Sequence, residues 1–323
     1  MISKKLFRKL GFLLAGMLII NACQERNPED YAELISRARD LYQMGDYSHS
    51  GQTYSRAFAV SAGADNIMYH YDAARSWALA RHKDSAFNQL YKVTRIGTFK
   101  DIARISTDNA FNYLYTDERW MEILTRVSNN KQKAEAHLQR IMAVLDTVYK
   151  EDQVYRRQIG KIQEKFGRNS KELKENWELI GKKDSINLVK VKKILNEYGW
   201  LGQDKIGRRG NSALFLVFQH ADLETQEKFL PMLREAVANG NAPAQDLALL
   251  VDRVALKQGK KQVYGSQIEF DKKTGSYFVS PLLDPDNVNK RRAEVGLGPI
   301  EDYISNWGLT WDVENYKKEK KRK

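Results

Sequence analysis

The sequence predicts a mainly α protein, with an N-terminal helical-repeat segment followed by a C-terminal helical domain that carries one small β-hairpin. Three observations lead to that class. The 323 residues include only six Pro and 20 Gly, so few positions interrupt helices. Apolar residues recur at i, i+3, i+4 and i+7 along the long segments, the period of a helix that buries one stripe. Alternation appears where Ile268-Glu269-Phe270 and Ser276-Tyr277-Phe278-Val279 flank a turn containing Gly275, which is the pattern of a hairpin. A hydrophobic content of 42%, with six Trp, 16 Tyr and 12 Phe, excludes a disordered chain.

The first 22 residues stand apart from this pattern. Lys4, Lys5, Arg8 and Lys9 precede an apolar run from Leu10 to Ile20, too short to span a bilayer, for which about 20 residues are needed. A basic start, a short apolar run and a small residue at the cut describe a secretory signal peptide. The sequence Ile20-Asn21-Ala22-Cys23 resembles the bacterial lipobox. That resemblance implies cleavage before Cys23, diacylglycerol on its sulfur and an acyl chain such as palmitate on its amine. Several chains on one residue anchor a protein stably, at about 0.8 kcal/mol per buried CH₂. Gln24, rather than Asp, after the cysteine implies sorting to the outer membrane, with residues 23–27 as a lipidated linker. The expected place is the cell envelope, facing the periplasm or the cell surface.

Cys23 is the only cysteine, so a disulfide framework and a cysteine metal cluster are excluded. The net charge of +12 falls by four to +8 without the signal segment. It falls by a further five to +3 without the tail Lys317-Lys318-Glu319-Lys320-Lys321-Arg322-Lys323. The body is therefore of ordinary charge, and residues 311–323 read as a solvated basic tail. Nucleic acid is not expected as a partner.

Between residues 28 and 127, Asn27-Pro28-Glu29-Asp30 supplies capping and first-turn residues for a helix. The pattern Ala38, Leu41, Tyr42, Gly45-Asp46-Tyr47, Ser50, Tyr54 and Ala57 resembles a tetratricopeptide repeat, with Gly-Asp-Tyr at the turn between two antiparallel helices. A shift of 36 residues brings Ala74, Trp77, Asp84-Ser85-Ala86, Leu90 and Val93 into matching places, with Arg81-His82-Lys83 in place of the Gly-Asp turn. A third, degenerate unit includes Ala110, Phe111, Leu114, Trp120, Ile123 and Leu124. A period in the mid-thirties fits a two-helix solenoid unit, whose groove suits a protein or peptide partner. The alternative is a segment that only spaces the second domain.

After Ser128-Asn129-Asn130, residues 131–310 read as a compact helical domain. From about Lys131 to Phe166, one stripe holds Leu138, Ile141, Leu145, Val148, Tyr149, Asp152, Tyr155, Arg156 and Ile159. A carboxylate on an apolar stripe must be paired, and Arg156 lies one turn on. Helices are expected at about 170–181 and 184–198. The apolar run from Ala213 to Phe218, closed by His220, belongs to an element buried on every side, helix or strand. A helix over 222–238 with a kink at Pro231 follows, then an apolar helix over 244–258 in which Asp252 and Arg253 are embedded. Beyond the hairpin, Asp284-Pro285 opens a helix placing Arg291 and Arg292 on a face with Val288 and Val295, and a short helix begins at Ile300.

Four pieces of this domain, Gln219-His220-Ala221-Asp222, Asp252-Arg253, Gln262-x-Tyr264-Gly265-Ser266-Gln267 and Asn287-Val288-Asn289-x-Arg291-Arg292, resemble an uncharacterised bacterial family, the domain of unknown function 6624. The resemblance covers about residues 131–305. It implies a domain boundary and marks these polar residues as hallmarks, and it implies no activity.

Asp152, Arg156, His220, Asp252, Arg253, Tyr264, Gln267, Arg291 and Arg292 all sit on or beside core-facing stripes, the ingredients of a polar pocket. Four Arg against two Asp favour a small anionic ligand, a carboxylate or phosphate. The ligand-binding candidates are Arg156, Arg253, Tyr264, Gln267, Arg291 and Arg292, and the catalytic candidates are His220, Asp252 and Asp152. His-Glu-x-x-His, Gly-x-Ser-x-Gly, phosphate-loop and EF-hand patterns are missing, and the five His are scattered. No metal and no cofactor is expected. The reading that follows is a membrane-anchored envelope lipoprotein that binds or scaffolds. The alternatives are a hydrolase or transferase using His220 with Asp252 or Asp152, and a structural spacer.

Overall fold

A computed structural model describes residues 30–61, 66–95 and 97–321, so the signal segment and Cys23 lie outside the described residues. Three quarters of the chain is helical, in 14 α-helices among the described residues, with one antiparallel pair of strands near the C-terminus. The mainly α class expected from the sequence is therefore the class of the protein. Among the described residues no helix is long and apolar enough to cross a membrane. The chain divides into two compact units, one up to Gln132 and one from Lys133.

The first unit opens with two helical hairpins, α1 (Tyr31–Gln43) with α2 (Tyr47–Val60) and α3 (Ile67–Leu79) with α4 (Lys83–Arg95). Corresponding helices begin 36 residues apart, at Tyr31 and Ile67 and at Tyr47 and Lys83. Caps set where they start: the Asp30, Asp46 and Asn66 side chains each accept a backbone N–H of the first turn. Small residues bring the helices close. Ala38, Ala57 and Ala74 are fully buried, and the Ser50 hydroxyl joins the Ala38 carbonyl at 2.7 Å and the Ser76 hydroxyl at 2.9 Å. Both tight turns use a left-handed residue at the same place in the period: Gly45 at φ +79° and Arg81 at φ +61°. The second copy keeps the turn geometry without the glycine, at a conformational cost of about 1 kcal/mol. Beyond α4, the short α5 (Ile102–Thr107) and a 3₁₀ segment (Asn109–Leu114) close the unit over Tyr71, Phe87, Leu90, Phe111, Leu114, Trp120 and Ile123.

The polar break expected at Ser128-Asn129-Asn130 is not a break. Helix α6 runs without interruption from Glu118 to Arg156. Asn130, which reads as a loop residue, donates its amide to the Thr94 and Phe99 carbonyls at 3.0 and 3.2 Å. The expected helix to Phe166 instead divides after Arg156, with α7 spanning Ile159–Phe166. Likewise the two helices expected over 170–198 are one, α8 (Lys171–Tyr198), ended by Gly199.

In the second unit, α9 (Gln203–His220) contains the apolar run, which settles helix over strand. It packs with the later part of α6, α8, α10 (Leu223–Ala238) and α11 (Ala244–Lys257) around Leu145, Val148, Val191, Leu195, Leu214, Phe218, Phe229, Leu233 and Leu250. Helix α10 continues through Pro231. Strands β1 (Ile268–Asp271) and β2 (Ser276–Val279) pair from Ile268 with Val279 to Asp271 with Ser276. They lead to α12 (Val288–Glu294) and α13 (Ile300–Ile304), which share a smaller core of Val279, Leu282, Val288, Ile300 and Ile304. The tail expected to be a loose terminus contains α14 (Val313–Lys321), whose Tyr316 hydroxyl accepts from the Leu282 N–H at 2.7 Å and whose Lys317 pairs with Asp286 at 2.6 Å.

Gly51 tests the packing of the first unit. A methyl group there would lie 2.6 Å from the Trp77 ring. Gly→Ala inside a helix ordinarily stabilises, but Gly51→Ala should destabilise this unit by about 1–3 kcal/mol through overpacking. Urea unfolding followed by circular dichroism measures the sign.

Candidate functional site

The polar residues that interrupt the apolar pattern separate into two groups with different partners. The first centres on Asp152, three turns beyond Ile141 on α6. Its side chain is 2% exposed. Oδ1 meets Nδ1 of His220 at 2.8 Å and Nη1 of Arg156 at 3.1 Å, and Oδ2 accepts from Gln153 Nε2 at 2.8 Å. Nη2 of Arg156 reaches on to Asp184 of α8 at 2.7 Å. Burial pushes the Asp152 carboxyl up. The hydrogen bond and charge of His220, with the charge of Arg156 and the Gln153 amide, more than offset that and hold it below the usual carboxylate range. Asp152 therefore stays ionised, with the Arg156 guanidinium on one side and the His220 ring on the other.

His220 is the last residue of α9, with a side chain 19% exposed. Because Asp152 occupies Nδ1, the hydrogen sits on that nitrogen and the lone pair on Nε2. Oxygen and nitrogen atoms of Asp152, Asp184 and His220 lie within 4.8 Å of one another, a donor set suited to a divalent ion. The guanidinium of Arg156 stands between the two carboxylates, so the cation these oxygens hold is an arginine. Asn187, one turn along α8 from Asp184, is buried with both amide atoms unpaired, leaving a donor and an acceptor to spare.

Arg253 of α11 completes this group. The amide of the preceding helix residue, Gln219, is oriented by its surroundings: only with its oxygen towards Arg253 does it accept from Nε at 3.1 Å and Nη2 at 3.2 Å. No carboxylate pairs with Arg253 among the described residues. Burial lowers its affinity for the proton, the nearby Tyr303 raises it and the charge of Arg156 lowers it again. Lys257, one turn on, feels burial and the charge of Arg253 in the same direction, and donates to the Ala221 carbonyl at 3.0 Å.

The second group is a brace around residues 262–267. Asp252, fully buried, accepts from the backbone N–H groups of Val263 at 2.6 Å, Tyr264 at 2.9 Å and Ser266 at 2.9 Å. Gln262 acts as a substitute strand, donating to the Gln267 and Ser280 carbonyls and accepting from the Gln267 N–H at 2.8 Å. Gly265 sits at φ +67°, and a side-chain carbon there would lie 2.6 Å from Ile300, so both backbone and space require glycine. Arg292, 2% exposed, donates to the Gly298 carbonyl at 2.6 Å and the Tyr264 carbonyl at 2.8 Å, over the Tyr303 ring. Arg291 donates to the carbonyls of Val263, Leu283 and Asp284 and pairs with the Asp284 carboxylate at 3.2 Å.

Of the residues that the sequence singled out, the structure thus brings Asp152, Arg156 and His220 together, and places Arg253 on the side chain of Gln219, the residue before His220. Asp252, Tyr264, Gln267, Arg291 and Arg292 form the brace. The two arginines expected to hold an anion spend their donors on main-chain carbonyls, because a loop with little regular structure leaves those oxygens without other partners. The pairing of His220 with Asp252 that the sequence allowed is not formed, since both Asp252 oxygens are occupied by backbone N–H groups. Sequence reasoning missed Asp184, and it marked Gln219 only as a family hallmark and not as a site residue. Asp184 lay at an expected helix start, and Gln219 adjoined the more conspicuous His220.

The fold and site define a class: a mainly α protein whose second unit carries a buried Asp–His pair beside an arginine-braced loop. A family model matches residues 137–313, and the chain belongs to that family of unknown function, DUF6624. No curated protein and no solved structure matches the chain.

Asp252→Ala should cost about 3 kcal/mol or more by stranding three N–H groups, measured by chemical denaturation. A carboxyl outside both groups offers a pH test. Burial pushes Asp246, in the first turn of α11, from 3.8 up to about 6. A raised folded value means the charged form opposes folding, fully above about pH 6 and less and less as pH falls towards 4. Asp246→Asn should therefore raise the thermal midpoint at pH 8 and change it little at pH 4.5.

Proposed function

We propose that this chain is an exported, lipid-anchored protein of the cell envelope whose second unit binds a small anionic ligand at Arg253 and His220. The observation that carries the ligand class is Arg253. A half-buried guanidinium without a carboxylate is costly, and an anionic ligand supplies the missing charge. His220 adds Nε2, the ring nitrogen that its hydrogen bond to Asp152 does not use. Support for export and anchoring is the lipobox-like sequence ending in Cys23, which accounts for the only cysteine.

The first unit reads as a tetratricopeptide-like partner surface. A cavity of about 180 Å³ opens between α1, α2 and α3, lined by Arg39, Tyr42, Gln43, Tyr54, Asp72 and Arg75. Burial pushes the Asp72 carboxyl up, with Arg75, Arg39 and Arg104 pulling it back. A polar cavity on repeated helices suits one side chain or terminus of a bound peptide.

Inorganic phosphate and acetate should raise the thermal midpoint of the wild-type chain, and Arg253→Ala should remove that shift while leaving the ligand-free midpoint within a few degrees. An unchanged shift in Arg253→Ala sinks the ligand reading. Anchoring has its own measurement: Cys23→Ser should abolish incorporation of labelled palmitate and move the protein from the membrane to the soluble fraction.

A further inference from the structure

We propose that the second unit hydrolyses a phosphate ester, with His220 transferring the proton and Arg253 holding the phosphoryl oxygens. This rests on the anion-binding reading and gives that site a reaction. Asp152 fixes the ring so that Nδ1–H points at Oδ1, 2.8 Å away, which in the neutral ring leaves the lone pair on Nε2 of a side chain that is 19% exposed. That is what a general base requires: a free nitrogen, a fixed tautomer and a carboxylate to stabilise the imidazolium once it forms. Arg156 shares its two ends between Asp152 and Asp184, which keeps the carboxylate ionised and the pair in place. Asp152 is a positioning residue, since it acts through His220.

Two features select the phosphate ester from other anionic substrates. Phosphoryl transfer asks the protein chiefly for position and positive charge, and a forked guanidinium matches two phosphoryl oxygens. Arg253 keeps Nη1 unspent after Nε and Nη2 have engaged Gln219, and Lys257 adds charge one turn away. Acyl transfer through a serine would need a hydroxyl on His220, and among the described residues the hydrogen bond recorded for its ring goes to Asp152 alone. The nucleophile is therefore water.

Nε2 of His220 takes a proton from water as the water oxygen attacks phosphorus. The phosphorus–oxygen bond to the alcohol breaks in line with that attack. The departing oxygen, on the opposite face of phosphorus, takes its proton from solvent, and the imidazolium returns its own proton to solvent, so the products are the free alcohol and a phosphate with one more oxygen from water. Charge that builds on the phosphoryl oxygens is met by Arg253. No oxidant or second substrate enters.

The full chain, purified in detergent, is assayed for nitrophenolate release from p-nitrophenyl phosphate and bis(p-nitrophenyl) phosphate, with inorganic phosphate as a competitor. The wild type should turn over at least one of the two esters. His220→Ala should lower kcat by about 100-fold or more, and His220→Gln, which can keep the hydrogen bond to Asp152, should do the same without loss of fold. Arg253→Ala should lower kcat/KM at least 10-fold and abolish competition by phosphate. Asp152→Asn should lower kcat with little change in KM and alter the acid limb of the pH profile, an effect that lost stability alone does not produce. Absence of release from both esters, or release that survives His220→Gln, overturns the proposal. Phosphate binding that depends on Arg253 without any turnover overturns the reaction and leaves the binding reading standing. Absence of both overturns the two together.

Discussion

A carboxylate that cannot reach water organises the second unit. Asp152 lies on a stripe otherwise made of Ile141, Leu145 and Val148, and ionised groups are tolerated there only when each oxygen is matched. The match draws on three helices. Arg156 comes from the same helix, His220 from the end of α9, and Asp184 of α8 takes the other end of the arginine. Removing any member strands a charge at the centre of a packed interface, so the polar group fixes the register in which the apolar faces meet. The imidazole is oriented as a by-product of the same requirement, and an oriented imidazole is chemically useful.

Asp252 meets an identical constraint by another route. It takes no cation. Backbone N–H groups of Val263, Tyr264 and Ser266 surround it, and this gives an irregular segment a defined shape. The carbonyls of that segment then face outward and are taken by Arg291 and Arg292. Carboxylate within and guanidinium without make a closed account of donors and acceptors, which is why these three conspicuous charges carry no spare capacity. Arg253, adjacent in sequence to Asp252 but turned to a different helix, is the exception and therefore the informative charge.

The first unit depends on closeness instead of charge. Ala38, Ser50, Gly51, Ala57 and Ser76 remove bulk where helices meet, and Tyr54 and Trp77 fill what remains. The spacing of 36 residues survives the loss of the glycine turn because Arg81 adopts the left-handed conformation that Gly45 adopts more cheaply. Packing of the following helix outweighs a local cost of about 1 kcal/mol.

Residue periodicity by itself determined the helical class, the hairpin at Gly275, the repeat spacing and the fact that Asp152, His220, Asp252 and Arg253 lie against the core. These are properties of local pattern, and a stripe reports burial whatever lies opposite. Breaks were less legible. Ser128-Asn129-Asn130 reads as a loop, yet Asn130 finds carbonyls of Thr94 and Phe99 more than thirty residues away, and the helix continues. Only the tertiary structure decided partners: His220 joins Asp152 across 68 residues of sequence, and Arg292 joins a carbonyl 28 residues back. A sequence shows that a buried charge needs a partner, but which group arrives is set by how helix faces dock, a choice made by many apolar contacts at once.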